Sequence, residues 1–183
     1  MTARLFVLCQ AETPALRAMT FGGDDGLSVE GRDAAAAMRE TVPKASRVLL
    51  SPGAAAAETA AALGLAGAAE PLLGDCDYGR WQGRPFAEIA EQDPAGLTAW
   101  MGDAAHNPHG GESIAAFVVR LGTWLESAAP EGRTLAIVPA NVIRALAIHV
   151  LAAPLASFRR IDAPPLCLLQ LTHDGRRWAL RFA

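Results

Sequence analysis

An α/β fold with helices on both faces of its sheet, a three-layer α/β/α sandwich, is what this sequence predicts, and two patterns predict it. Short apolar runs of strand length at residues 5–8, 48–50 and 135–138 alternate with segments of helical period. A strand, an Asp174-Gly175 turn signal and a further strand then close the chain. Strands that alternate with helices in this way form a sheet covered on both sides.

The elements follow in order. After the first run come polar loop residues through Gly26, of which Phe21 to Gly26 have neither phosphate-loop nor calcium-loop spacing and read as a mobile turn. Ser28 is an N-cap for a helix over about residues 29–41, with Glu30 in its first turn. The second strand ends at Ser51-Pro52, and an alanine-rich helix over about 54–63 closes on Gly64. Residues 71–111, rich in Gly, Pro and Asp, read as an insertion over the strand ends with short helices near 86–91 and 97–101. Ile114, Phe117, Val118, Leu121, Trp124 and Leu125 keep a helical period across 113–127. A helix over 142–151 and strands over 166–171 and 177–182 complete the set. Neither a repeat nor a linker interrupts the chain, so residues 1–183 are expected to form one domain.

Composition narrows the function classes. The 183 residues are 51% hydrophobic and 19% charged, with a net charge of −3, which excludes intrinsic disorder. A chain of this size buries roughly 70% of its unfolded surface and needs neither disulfides nor a structural metal. The balance of 16 basic against 19 acidic residues offers no electrostatic footprint for nucleic acid or a membrane surface. Cys9, Cys76 and Cys167 form no CxxC pair and read as reduced thiols of a cytoplasmic protein. The N-terminal apolar run is too short for a signal peptide, and no stretch approaches the roughly 18 apolar residues of a membrane span. Arginine far outnumbers lysine, with Lys44 alone, and the bias is that of a GC-rich bacterial genome.

In sheets of this kind ligands sit beyond the carboxyl ends of the strands, so the residues after Leu8, Leu50 and Val138 are the ones to inspect. Six segments there and nearby carry a resemblance: residues 5–13, Gly26-Leu-Ser-Val-Glu-Gly31, Ser51-Pro52 with Glu58-Thr59, Asp77-Tyr-Gly-Arg-Trp-Gln-Gly83, Gly110-Gly-Glu-Ser113, and Val142-Ile-Arg144. In this order and spacing they resemble the histidine phosphatase superfamily, and within it the small bacterial α-ribazole-phosphatase-like branch. The resemblance implies a phosphoglycerate mutase-like fold with a mostly parallel sheet. It also implies a mechanism: a histidine attacks phosphorus, two arginines and a second histidine neutralise the phosphoryl oxygens, and a glutamate protonates the leaving oxygen.

Mapped onto this chain, each of those positions is replaced. Arg-His-Gly-Glu-Thr reads Cys9-Gln10-Ala11-Glu12-Thr13, the second arginine falls at Ala55, the second histidine at Pro139, and the acid at Asp75. No catalytic residue of the family is intact. A glutamine cannot serve as the nucleophile, because its amide lone pair is delocalised into the carbonyl.

The remaining groups each carry two readings. Cys9 is either a strand-end nucleophile or a small buried side chain filling the space of an arginine stem. His106 and His109 are either within reach of a ligand or solvated in their loop, while His149 and His173 read as structural or exposed. Asp75 is either an acid or a turn-forming residue. Glu112 and Ser113 either border a pocket with Thr13, His109 and Asn141 or cap the helix that follows. No group has metal-ligand spacing, and no cofactor is expected. The expected function is that of a pseudo-phosphatase, a binding or regulatory module for an unidentified small molecule or protein, as a monomer or homodimer. The alternative is an enzyme acting on a non-phosphorylated metabolite through Cys9, or through Asp75 with a loop histidine. A weaker alternative is the phosphomonoesterase or mutase that the family label suggests.

Overall fold

The computed structural model describes residues 3–127 and 132–182. Six strands form one sheet: β1 (Ala3–Cys9), β2 (Arg47–Leu50), β3 (Ala68–Ala69), β4 (Arg133–Val138), β5 (Leu168–His173) and β6 (Trp178–Arg181), in the order β3-β2-β4-β1-β5-β6. β1 and β2 both pair in parallel with β4, and β3 pairs in parallel with β2. β5 runs antiparallel to β1, and β6 antiparallel to β5. The helices are α1 (Pro14–Arg17), α2 (Val29–Ala37), α3 (Ala54–Ala62), α4 (Phe86–Gln92), α5 (Pro94–Gly102), α6 (Ile114–Ser127) and α7 (Ala140–Leu151).

β1 shows why the sheet is sandwiched. Successive side chains of a strand point to opposite faces. Leu5, Val7 and Cys9 join the core formed with Phe117 and Leu121 of α6 and Val142 and Leu146 of α7. Phe6 and Leu8 pack on the other side with Ala56, Ala60 and Leu63. A strand buried on both faces reads as a continuous apolar run, which is what residues 5–8 are. Among the described residues, no helix is long and apolar enough to cross a membrane.

Several boundaries differ from those expected, each for a local reason. α2 ends at Ala37, not near Thr41: the Met38 N–H turns back to Ala35, and Pro43 disfavours helix in the residue before it. α1 was missed, although its signals are ordinary: Thr13 caps it by accepting from the Leu16 N–H at 3.2 Å, and Pro14 opens it. α7 starts at Ala140, directly after Pro139, so its first turn lies at the strand end. β5 starts at Leu168 because the chain first turns: Leu166 has φ +63 and donates to the Cys9 carbonyl at 3.2 Å, while Cys167 donates to Pro164. The chain from 21 to 26 is no free turn either. Phe21 is buried among Tyr78, Trp81, Phe86 and Trp100 at centroid distances of 5.2–5.9 Å.

The loop leaving β1 is held by a buried hydroxyl. Thr59 Oγ1 accepts from the Ala11 N–H at 3.0 Å and donates to the Ala55 carbonyl at 2.7 Å. On the other side, Gly31 lets α2 lie against this loop, since a Cβ there would sit 2.3 Å from the Glu12 carbonyl oxygen. Replacing Thr59 by Val keeps the shape and strands the buried Ala11 N–H. T59V is therefore expected to lower unfolding free energy by about 1–3 kcal/mol in urea titration, and T59S by clearly less.

Candidate functional site

A cavity of about 660 Å³ opens at the carboxyl ends of β1, β2 and β4. The register of the sheet sets its floor: Cys9 lies opposite Val138, and Leu50 opposite Ile137. The next residues leave at the same edge, with Gln10 N donating to the Val138 carbonyl at 2.8 Å and Ser51 N to that of Ile137 at 2.9 Å. Cys9, Gln10, Thr13, Ala55, Asp75, Pro139 and Asn141, which the sequence nominates from distant segments, all line this one cavity. Its wall is apolar, with Leu16 and Met19 from the α1 segment, Phe21 and Phe86, while Asp24, Asp25 and Asp162 stand exposed at the rim.

A polar chain crosses the floor. Arg144 Nη1 donates to Asn141 Oδ1 at 2.7 Å, and Arg144 Nε donates to the Ile161 carbonyl at 3.0 Å. Asn141 Nδ2 donates to Asp75 Oδ1 at 3.1 Å and to the Tyr78 hydroxyl at 3.0 Å. The amide is thereby oriented, oxygen toward the guanidinium and nitrogen toward the carboxyl group. Asp75 Oδ1 also accepts from the Cys76 N–H at 2.8 Å. Burial holds the Asp75 carboxyl above the usual carboxylate range, opposed by these hydrogen bonds and the Arg144 charge. Burial, and then the Asp75 charge, likewise raise the Tyr78 phenol well above its ordinary value.

Cys9 is buried, with its thiol 3.9 Å from the Ala163 carbonyl. A hydrogen bond to Cys167, followed by burial, pushes its ionisation far above that of a free thiol, while the same contact lowers that of Cys167. It therefore lacks the positive, solvated setting that activates a cysteine. Antiparallel pairing of β5 with β1 brings Cys9 and Cys167 together, a relation with no local sequence signal.

His109, Glu112 and Ser113 do not line the cavity. His109 is 2% exposed, neither solvated nor facing a ligand, with its ring 5.0 Å from that of Trp81 and 5.8 Å from that of Tyr78. Its Nδ1 accepts from the Gly111 N–H at 3.1 Å, which places the proton on Nε2, and Nε2 has no hydrogen-bond partner among the described residues. Glu112 pairs with Arg120 at 2.9 Å, and Arg120 also donates to the Asp75 carbonyl, so this pair braces the segment carrying Asp75. Ser113 Oγ accepts from the Ala116 N–H and caps α6. His106 is exposed beside Asp103, and His149 pairs with Glu126. Among the described residues, no three His, Cys, Asp or Glu side chains gather to hold a metal ion.

Three site groups escaped the sequence reading. Tyr78 was noted only as part of a motif, and Asp162 not at all. Asp24, placed in a supposed mobile turn, accepts from the Ala54 N–H at 2.6 Å and so caps α3, whose own N-cap residue, Gly53, has no side chain to offer.

The histidine phosphatase superfamily (branch 1) pattern matches residues 6–183. The chain belongs to this superfamily. It is 30% identical over 152 residues to the glucosyl-3-phosphoglycerate phosphatase of Mycobacterium tuberculosis, a match spanning 74% of this chain and 68% of that protein. A shorter stretch of 59 residues is 41% identical to a bifunctional protein of the same species, strain H37Rv, but spans only 16% of that protein's length. In structure, a putative α-ribazole-5'-phosphate phosphatase of Escherichia coli superposes with a TM-score of 0.87, covering 98% of this chain and 94% of that one. At 20% identity that likeness shows the phosphoglycerate mutase-like fold alone.

The burial of His109 has a pH consequence. Burial, its largest influence, lowers the His109 pKa, so the folded state prefers the neutral ring. Its contribution to stability is complete above the ordinary imidazole pKa of about 6.5 and is lost as pH falls through and below that value. H109Q removes this dependence. The stability gap between the parent and H109Q is expected to narrow from about pH 7.5 to pH 5.5, read from urea midpoints.

Proposed function

We propose that this chain is a binding or regulatory module on the histidine phosphatase fold and does not run phosphohistidine chemistry. The observation that carries the reading is that Gln10, Ala55 and Pro139, which the resemblance aligns with the family's nucleophile and phosphate-binding positions, line one cavity. The family mechanism needs a nucleophilic imidazole and cations around the phosphoryl oxygens, and these positions supply an amide, a methyl and a pyrrolidine ring. Removal of one preorganised donor from such a site costs about 10²–10³ in rate, and loss of the nucleophile closes the covalent route altogether.

The electrostatics support the same reading. Among the described residues, Arg144 is the one basic side chain lining the cavity, and its Nε and Nη1 are engaged by Ile161 and Asn141. Asp24, Asp25, Asp75 and Asp162 line the same space. A phosphate dianion would meet more negative charge there than positive. The phosphatases among the relatives favour a phosphatase; the groups at the strand ends weigh against it. The three cysteines, all free, are compatible with action in the cytoplasm.

A second reading, new chemistry at the old site, retains support from one group. Asp75 has a raised pKa at the base of a cavity, as acid catalysts do. Its proposed companions are less well placed: Cys9 is not activated, and neither His106 nor His109 lines the cavity.

The test is hydrolysis of p-nitrophenyl phosphate together with acid-quench trapping of a phosphorylated protein. The parent chain is expected to give neither turnover nor phosphoprotein. Q10H restores an imidazole without its phosphate clamp and is expected to stay inactive. Phosphoprotein in the parent, or appreciable turnover by Q10H alone, would overturn the reading.

A further inference from the structure

We propose that the cavity receives an organic cation, an ammonium or amidinium head on an apolar body, with the head on Asp75 and the body against Leu16, Met19 and Phe21. The inference rests on the binding-module reading above and gives its ligand a chemical class.

Four observations converge on it. The first is an unanswered acceptor. Asp75 Oδ1 takes the hydrogen bonds from Cys76 and Asn141, whereas no hydrogen bond among the described residues reaches Oδ2 of this cavity-floor carboxyl group. A half-buried cavity acceptor with no donor among the described residues is open to a donor from the ligand, and a charged donor gives the stronger bond. The second is the sign of the lining, four carboxyl groups, of which Asp24 is engaged at the α3 N-terminus, against one guanidinium engaged through Nε and Nη1.

The third observation is apolar. Leu16 and Met19 stand 51% and 68% exposed on the α1 segment, which contributes no buried residue to the core, and both line the cavity. Beside buried Phe21 they form one greasy wall, which calls for a carbon body and not for a bare inorganic ion. A volume of about 660 Å³ suits a ligand of drug-like size. The fourth excludes the obvious competitors. No cluster of three metal-binding side chains exists among the described residues. The N-terminus of α3, which would otherwise attract an anion, already holds the Asp24 carboxylate.

Three matched probes test the proposal on the full chain labelled with nitrogen-15: 2-phenylethylamine, 2-phenylethanol and phenyl phosphate. The amine is expected to shift the side-chain amide resonances of Gln10 and Asn141 saturably, and to bind at least about tenfold more tightly than the alcohol. D75N, checked for folding by its thermal transition, is expected to bring the amine down to the affinity of the alcohol. Should D75N not fold, the rim variant D162N replaces it and is expected to weaken the amine about threefold while leaving the alcohol unchanged. Equal binding of amine and alcohol, or no amine binding up to about 10 mM, overturns the cation assignment and leaves the binding-module reading standing. Tightest binding by phenyl phosphate, with its hydrolysis, overturns both.

Discussion

The parallel pairing of β1 with β4 is the constraint on which the site depends. Both strands are buried on both faces, so each must place its backbone polar groups in the ladder. Their register brings Cys9 beside Val138, and the Gln10-to-Val138 hydrogen bond extends it one residue beyond the strand end. Two loops far apart in the chain are thereby delivered to one edge. α7 begins at once after Pro139, so Asn141 and Arg144, three residues apart on one helical face, meet above that edge. The polar floor follows from strand register and helix period, with the insertion adding Asp75 and Tyr78 from the side.

What fills that frame is largely self-satisfied. Arg144 is held by a carbonyl and an amide, Asn141 spends both amide hydrogens inside the protein, and Asp24 is bound to a helix end. Groups that in an anion site would face outward are turned on one another. One oxygen of Asp75 and the Gln10 side chain are exceptions, with no hydrogen bond among the described residues. Low local dielectric makes satisfied pairs rigid and leaves any unsatisfied group with strong demands on whatever enters.

Legibility in the sequence divided along physical lines. Periodicity revealed β1, α6 and β4 because burial imposes a pattern over many residues. The six spaced motifs revealed the family and brought seven scattered residues to one cavity. Features that depend on contact between distant segments stayed hidden. Nothing near Cys9 announces Cys167, whose position depends on β5 returning antiparallel. Nothing in the run from Phe21 to Gly26 announces that Asp24 caps a helix thirty residues later. His109 was misplaced because a polar loop suggests solvent, whereas its ring is packed beneath Trp81 and Tyr78. Thr13-Pro14 and Asp93-Pro94 were local signals overlooked, each a cap followed by a helix-opening proline.

The Asp24 cap has a consequence for how the cavity treats anions. Because this carboxylate is tethered by the chain, it occupies the α3 N-terminus at an effective concentration on the order of millimolar or more, which no dilution reduces. It acts as a permanent intramolecular competitor. A free anion reaching this helix end must displace it and leave the Asp24 loop without its anchor. The same loop continues into Phe21, which is anchored separately by its aromatic neighbours, so the contact that guards this helix end also ties down the stretch leading to the apolar wall.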